Sequence, residues 1–224
     1  MTSKTFRLAA GLAATLAFAA SAAVAATPNL NGKWSAPFVG VLKTSKGAVP
    51  PLRPEAAAIY NKRIADRAAG KKVGDPIDDC VPHGVPRLTY APYPMLVVQT
   101  DKQVTLIQQA NHTFRLLYIG GKAPEDADPT WLGYSTARWE GSTLVAETTG
   151  FNDKTWLDRA GLPHSDQLKV TERFTLGKGG KTLRVTSTID DPKTYTAPWS
   201  TSITFTNRAG MDLTEMVCSR DHKM

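Results

Sequence analysis

The chain has 224 residues, of which 42% are hydrophobic and 21% charged. This composition supports a folded core and argues against disorder, collagen and coiled coils. The net charge of +7 is mild, and no run of Lys and Arg is dense enough for a nucleic-acid-binding arm. We therefore expect no nucleic acid among the partners.

The N-terminus has the layout of a secretory signal peptide. Lys4 and Arg7 precede an Ala- and Leu-rich stretch that ends in small residues at positions 23–26. No later apolar stretch approaches the roughly 20 residues that cross a bilayer. The sequence therefore predicts a signal peptide at 1–26 and one domain at 27–224. It also predicts a periplasmic or secreted location, with no integral membrane segment after signal removal.

Cys80 and Cys218 are the only two cysteines of the chain. In an oxidising compartment a pair of this kind favours a disulfide. The alternative is a catalytic thiol, which would need a nearby histidine and a means of staying reduced outside the cytoplasm.

Two segments precede the β-rich part of the chain. Pro54 at a first helical position and Gly70 at the C-terminal stop predict a helix from Pro54 to about residue 69. Its apolar face would consist of Ala56, Ile59, Tyr60 and Ile64. Five prolines between residues 75 and 94 argue against a helix or a central strand there, so we expect an ordered loop or collar.

From Met95 onward, short β-rich runs alternate with turn residues. Nine runs and one near Trp34 predict about ten strands. The nine runs are Met95–Gln99, Val104–Gln108, Phe114–Ile119, Tyr134–Glu140, Thr143–Thr149, Leu168–Leu176, Thr182–Asp190, Thr201–Asn207 and Asp212–Cys218. Hairpin spacing without βαβ alternation predicts an all-β fold, an antiparallel up-and-down, calycin-like β-barrel with one N-terminal helix. A β-sandwich is the alternative.

The run from Leu168 to Leu176 predicts an inward-facing carboxylate. Its apolar residues alternate with polar ones, and Glu172 falls on the apolar face. A buried Glu must be paired, hydrogen-bonded or protonated. We expect either an internal ion pair with an arginine such as Arg87 or Arg115, or a role for Glu172 as a general acid/base or ligand anchor.

The connection from Gly150 to Asp166 is too long for a hairpin loop and is typical of a lid or binding loop. It contains Trp156, Asp158 and His164, which we treat as candidate site residues, with His164 as a possible catalytic base. The alternative for His164 is a turn stabilised by its polar neighbours. The four histidines lack the paired spacing of a zinc site, so no metal is expected.

Arginines and tryptophans supply further candidates. Arg87 and Arg115 could bind an anionic or carbonyl group, whereas Arg138 and Arg173 fall on the predicted outer faces of their strands. Trp131 and Trp156 could cap a cavity or stack on a flat ligand, although packing in the core or loops is the alternative.

A set of motifs resembles a family of uncharacterised secreted bacterial proteins. The motifs are Cys80-Val-Pro-His-Gly-Val-Pro-Arg87, Trp131-Leu-Gly-Tyr-Ser135, Arg138-Trp-Glu-Gly141, Thr143-Leu-Val145, Gly161-Leu-Pro-His-Ser165, Glu172-Arg-Phe174 and Asp190-Asp-Pro192, with Tyr195 and Pro198-Trp199. The resemblance implies export and one β-rich domain, but it does not indicate an activity. Where the family usually has Gly-His-Ser, this chain has Tyr134 in the middle position, which we include among the candidate ligand-binding residues. Gly32-Lys33-Trp34 is also similar to the opening Gly-x-Trp of lipocalins.

Three functions agree with these patterns. The first is an exported barrel that binds a small apolar or aromatic ligand in its cavity, with Arg87, Trp156 and His164 lining one mouth. The second is a small cofactor-free hydrolase, lyase or isomerase that uses Glu172 or His164 as acid/base. The third is a structural or interaction protein of the envelope. No cofactor is expected, and the oligomeric state is left open.

Overall fold

The computed structural model describes residues 27–218, and within them nine strands form a closed barrel. The all-β barrel prediction is confirmed, with nine strands rather than ten. The predicted signal peptide lies outside the described residues. The strands are β1 (Gly32–Ser35), β2 (Met95–Gln99), β3 (Gln103–Gln108), β4 (Phe114–Ile119), β5 (Tyr134–Glu140), β6 (Thr143–Thr149), β7 (Lys169–Leu176), β8 (Thr182–Asp190) and β9 (Trp199–Asn207). The α-helices are α1 (Pro54–Ala68) and α2 (Arg87–Tyr90), and short 3₁₀-helices span Pro76–Asp79, Ala110–His112 and Lys178–Gly180. None of the helices in this part of the chain is long and apolar enough to cross a bilayer.

The barrel is mixed rather than antiparallel throughout. Strands pair in chain order, and β1 pairs with β9 to close the barrel. Only β4 and β5 run parallel, with Leu117 opposite Ser135 and Ile119 opposite Ala137. The antiparallel prediction is wrong here because residues 120–133 return along the height of the barrel, which a hairpin loop does not do.

The prediction of a tenth strand at Asp212–Cys218 is also wrong. Residues 211–218 have no regular secondary structure. β9 already pairs with both β8 and β1, so it has no free edge to which another strand could add. The C-terminal segment is instead held by its disulfide.

The disulfide between Cys80 and Cys218 is confirmed, with a Cα–Cα distance of 5.6 Å. It joins residues that are 138 positions apart. In the chain-entropy model, closing a loop of this length stabilises the fold by about 5 kcal/mol. The cross-link ties the proline-rich segment before β2 to the end of the described chain.

Inward-facing side chains of alternate strand positions form the core. Trp34, Leu144, Phe174 and Phe205 are each 1% exposed or less. The period-two pattern of β7 is confirmed, because Glu172 is fully buried among these residues. The predicted outward orientation of Arg138 and Arg173 is confirmed as well, since both are exposed.

Loops and both helices cover one end of the barrel, which we call the covered end. Strand directions place four connections there, namely residues 36–94, 109–113, 150–168 and 191–198. Backbone hydrogen bonds join them, for example from Arg53 N to Thr194 O at 2.9 Å and from Arg159 N to Gly40 O at 3.1 Å. The opposite end carries the hairpins, the start of the β4–β5 link, residues 27–31 and the start of the segment that follows β9.

Helix α1 forms where the Pro and Gly signals predict it, but its buried face differs. Ala56 and Tyr60 are buried, whereas Ile59 and Ile64 are exposed. The face of α1 that contacts the rest of the protein contains Ala56, Tyr60 and Arg63. The Arg63 guanidinium lies 4.3 Å from the centre of the Trp156 ring.

The proline-rich segment is ordered, as predicted. The prediction that it contains no helix is wrong. The single turn α2 begins directly after Pro86, where the missing N–H of proline costs no helical hydrogen bond. All four residues of α2 are buried, so this turn closes the barrel interior at the covered end.

Candidate functional site

A cleft opens in the barrel wall where β4 and β5 separate. The two strands pair only through the last three residues of β4. Towards the covered end, residues 114–116 and 130–134 therefore border a gap with a volume of about 430 Å³. This volume lies within the range of about 300–1,000 Å³ that is usual for small-molecule sites.

Aromatic side chains form the walls of the cleft. Phe114 and Tyr118 come from the outer face of β4, Trp131 from the β4–β5 link, and Tyr134 from the start of β5. Phe114, Tyr118 and Trp131 are all exposed. A group of large apolar side chains left open to water around a concave surface is typical of a binding site.

The Tyr134 ring is fixed by its neighbours. Its hydroxyl donates to the Asp128 carbonyl at 3.0 Å. A Cβ added to Gly150 would lie 2.9 Å from the ring. The candidate Tyr134 is thus held in place as part of the cleft wall.

Arg115 and Ser135 belong to the floor of the cleft and face the barrel interior. Arg115 Nη2 donates to Ser135 Oγ at 3.3 Å and to Thr148 Oγ1 at 3.2 Å. The two hydroxyls lie 2.9 Å apart on adjacent strands. Aromatic side chains therefore border the cleft, and buried polar side chains of the same two strands lie on its interior side.

Glu172 stabilises the Arg115 charge from the other side. Its Oε2 lies 2.8 Å from Arg115 Nη2, and both side chains are at most 2% exposed. The N–H does not point along this approach, so the contact is an ion pair rather than a linear hydrogen bond. Thr89 of α2 donates to Glu172 Oε1 at 2.9 Å. The internal ion pair predicted for Glu172 is thus confirmed, with Arg115 as the partner.

The guanidinium of Arg115 keeps unused donors. Nε and Nη1 are buried and have no hydrogen-bond partner among residues 27–218. A buried donor without an acceptor costs about 1–3 kcal/mol. Such a group at the floor of a cleft is suited to bind an acceptor that enters from outside.

Gly133 sets the shape of the cleft. Its φ of +63° is in the left-handed region, and an added Cβ would lie 2.6 Å from the Thr149 backbone oxygen. Only glycine permits this close approach of the link to β6.

The other candidates lie together in the loops of the covered end. Arg87 makes two hydrogen bonds to Asp75, at 2.8 and 2.7 Å. Asp158 accepts from the backbone N–H groups of Leu42, Gly161 and Leu162, each at 2.9 Å. Burial nevertheless raises the pKa of the Asp158 carboxyl. These contacts order the loops.

His164 also lies in this layer. Its Nε2 is 2.8 Å from Thr155 Oγ1, and its Nδ1 is 3.0 Å from the Ser165 carbonyl oxygen. Nδ1 therefore carries the hydrogen, and Nε2 accepts from the threonine hydroxyl. Burial lowers the pKa of His164 and so favours the neutral form of the ring. This is the geometry of a base beside a hydroxyl, but Thr155 is only 3% exposed.

His83 adds a second buried imidazole. Burial, and then the charge of Arg87, lower its pKa to about 4. Its Nδ1 has no partner among the residues that the structure describes. Its neighbour Pro82 lines the cleft, so the covered end and the cleft are adjacent.

The structure divides the predicted site residues into two groups. Arg115 and Tyr134 line the cleft, and Glu172 lies behind it as the ion-pair partner of Arg115. Arg87, Trp156, Asp158 and His164 pack in the covered end, each less than 10% exposed, rather than lining an open mouth. That prediction is wrong because buried backbone groups and side chains of the loops use the polar atoms that a ligand would need.

Sequence reasoning missed several cleft residues. Phe114 and Tyr118 look like ordinary strand residues, and Ser135 and Thr148 join the floor only through strand pairing. Trp131 carries a usable signal, since it lies in a polar loop, where a tryptophan could cap a cavity or stack on a ligand.

The described residues 27–218 contain no group of three or more His, Cys, Asp or Glu arranged to hold a metal ion. No family model matches the sequence, and no curated protein or solved structure matches the chain. The resemblances to secreted bacterial proteins and to lipocalins stay predictions.

Proposed function

We propose that this protein is an exported barrel that binds a small apolar or aromatic molecule in the cleft between β4 and β5. One observation carries the proposal, namely the opening of about 430 Å³ that is walled by aromatic side chains and leads to a buried guanidinium with free donors. An apolar wall with a few polar groups at its end is the usual composition of a small-molecule site.

The expected affinity is moderate. Burial of about 200 Å² of apolar ligand surface gives about 5 kcal/mol at 25 cal/mol/Å², and aromatic stacking adds to this value. Association entropy opposes it. We therefore expect a Kd on the order of 0.1–1 mM for an aromatic probe without matched polar groups.

The geometry supports binding over catalysis. A cofactor-free enzyme would use Glu172 or the pair of Thr155 and His164. Glu172 is fully buried behind Arg115 and Thr89, and a Cβ on Gly84 would lie 2.5 Å from Thr155 Oγ1, so the hydroxyl is covered by backbone. A substrate would have to displace these contacts, whereas the cleft is open.

The experiment is a fluorescence titration with N-phenyl-1-naphthylamine, a neutral aromatic probe that brightens in apolar surroundings. We expect saturable binding to the purified protein. Trp131→Ala and Phe114→Ala each remove part of the wall and should raise Kd at least fivefold, which corresponds to about 1 kcal/mol of lost contact.

Phe38→Ala is the matched control, because Phe38 is an exposed aromatic residue that does not line the cleft. It should leave Kd within twofold of the unmodified protein. Equal effects of all three substitutions, or no saturable binding, would refute the proposed function.

A further inference from the structure

We propose that the ligand of the cleft is an aromatic molecule with an uncharged carbonyl group, and that Arg115 binds its oxygen. This inference rests on the proposed function and specifies the chemical class of the ligand. Its basis is the count of donors, acceptors and charges at the floor of the cleft.

Among the buried polar atoms of Arg115 and Glu172 that have no hydrogen-bond partner within residues 27–218, two are donors, Arg115 Nε and Nη1, and one is an acceptor, Glu172 Oε2, which is ion-paired with Nη2. Arg115 offers Nε–H and the two hydrogens of Nη1, and neither nitrogen has an acceptor among residues 27–218. The nearby hydroxyls of Ser135 and Thr148 already contact each other and Nη2. A ligand oxygen that only accepts is therefore the group that this floor lacks.

Charge decides between a carbonyl and a carboxylate. Glu172 already balances the charge of Arg115, with 2.8 Å between Oε2 and Nη2 and both side chains at most 2% exposed. A bound carboxylate would place a second anion beside Glu172 and leave one negative charge in excess, which burial penalises. A carbonyl oxygen accepts the same hydrogen bonds without adding charge.

The outer part of the cleft agrees with a flat ring attached to this carbonyl. Phe114, Trp131 and Tyr134 surround the entrance, and the residues that line the cleft within 27–218 include no Asp or Glu. The ring would pack against these aromatic groups while the oxygen points to the floor.

The test compares three ligands of nearly equal size by calorimetric titration at pH 7.5, namely acetophenone, ethylbenzene and benzoate. For the unmodified protein we expect acetophenone to bind about tenfold more tightly than either of the others. Tighter binding of benzoate than of acetophenone would overturn the inference.

Two variants test how Arg115 and Glu172 determine the ligand preference. Arg115→Met with Glu172→Gln removes donor and charge together without leaving an unpaired charge, and it should abolish the preference for acetophenone over ethylbenzene. Glu172→Gln alone leaves Arg115 uncompensated and should reverse the order so that benzoate binds best. A preference for acetophenone that survives in the double variant would overturn the role of Arg115.

The outcomes separate the two proposals. Binding of ethylbenzene with no preference for acetophenone overturns the carbonyl inference and leaves the cleft function intact. Absence of binding by all three ligands and by N-phenyl-1-naphthylamine overturns both. If Glu172→Gln fails to fold, the comparison of acetophenone with benzoate on the unmodified protein still decides the inference.

Discussion

Glu172→Gln should be one of the most destabilising conservative substitutions in the chain. The Glu172 side chain is fully buried, and its ion pair with Arg115 has an N···O distance of 2.8 Å. The amide oxygen of Gln can still accept from Thr89, so the substitution removes the charge and keeps the shape. Loss of one partner of a buried ion pair costs about 3–5 kcal/mol, because the other charge stays buried without compensation.

Urea unfolding of the disulfide-intact protein measures this cost directly. For a domain of this size, 3–5 kcal/mol corresponds to a decrease in Tm of about 6–20 °C. The matched control is Glu147→Gln on the outer face of β6, where the side chain is 32% exposed and pairs with Arg138 at 2.8 Å and Lys169 at 3.0 Å. It should cost less than about 1 kcal/mol.

The double variant Arg115→Met/Glu172→Gln and the two single variants form a double-mutant cycle. It should be more stable than the sum of the two single variants predicts, because no unpaired charge remains. If Glu172→Gln costs no more than Glu147→Gln, the interior of the barrel is solvated and the reasoning about its floor is wrong.

Three further predictions follow from the covered end, the cross-link and the cleft. Cys80→Ala with Cys218→Ala should lower the free energy of unfolding by up to about 5 kcal/mol, measured against the oxidised protein in urea; no loss would mean that the cross-link is unimportant for the fold. The pKa of His83 is about 4 when folded and about 6.5 when unfolded, so the unfolded chain binds the proton first and stability falls as the pH decreases from 6.5 to 4. His83→Gln should remove about 3 kcal/mol of this decrease, and parallel pH profiles for the two proteins would contradict the assignment. Gly133→Ala should destabilise the protein and weaken probe binding, whereas Gly141→Ala, which has a similar φ but open space around it, should cost only about 1 kcal/mol and leave binding unchanged.

Local periodicity explains which parts of the fold could be predicted. The alternation in β7 places Glu172 inside the barrel because successive strand residues face opposite sides. The partner of Glu172 could not be chosen from the sequence, since both Arg87 in the predicted collar and Arg115 in a predicted strand were candidates. Only the three-dimensional pairing brings Arg115 to 2.8 Å from Glu172.

The cleft could not be predicted from the sequence, because it depends on how the strands are connected. Residues 120–133 contain Gly and Pro like any hairpin loop, and nothing local reveals that they run back along the barrel and leave β4 and β5 parallel. The prediction of a lid or binding loop at 150–166 is wrong for a different reason. Its polar residues suggested a lid, but Asp158 and His164 satisfy buried backbone and side-chain groups that are distant in sequence or unpredictable from it.

The most direct test of the cleft uses the five tryptophans as reporters. Trp131 lies at the cleft, Trp34 and Trp199 are buried residues of the barrel, Trp139 is on β5, and Trp156 is in the covered end. Indole N–H resonances, assigned by single Trp→Phe substitutions, can be followed by NMR during a titration with acetophenone. We predict a saturable shift of the Trp131 resonance while those of Trp34, Trp156 and Trp199 stay unchanged. Shifts of Trp34 and Trp199 with an unchanged Trp131 would place the ligand inside the barrel and contradict the account.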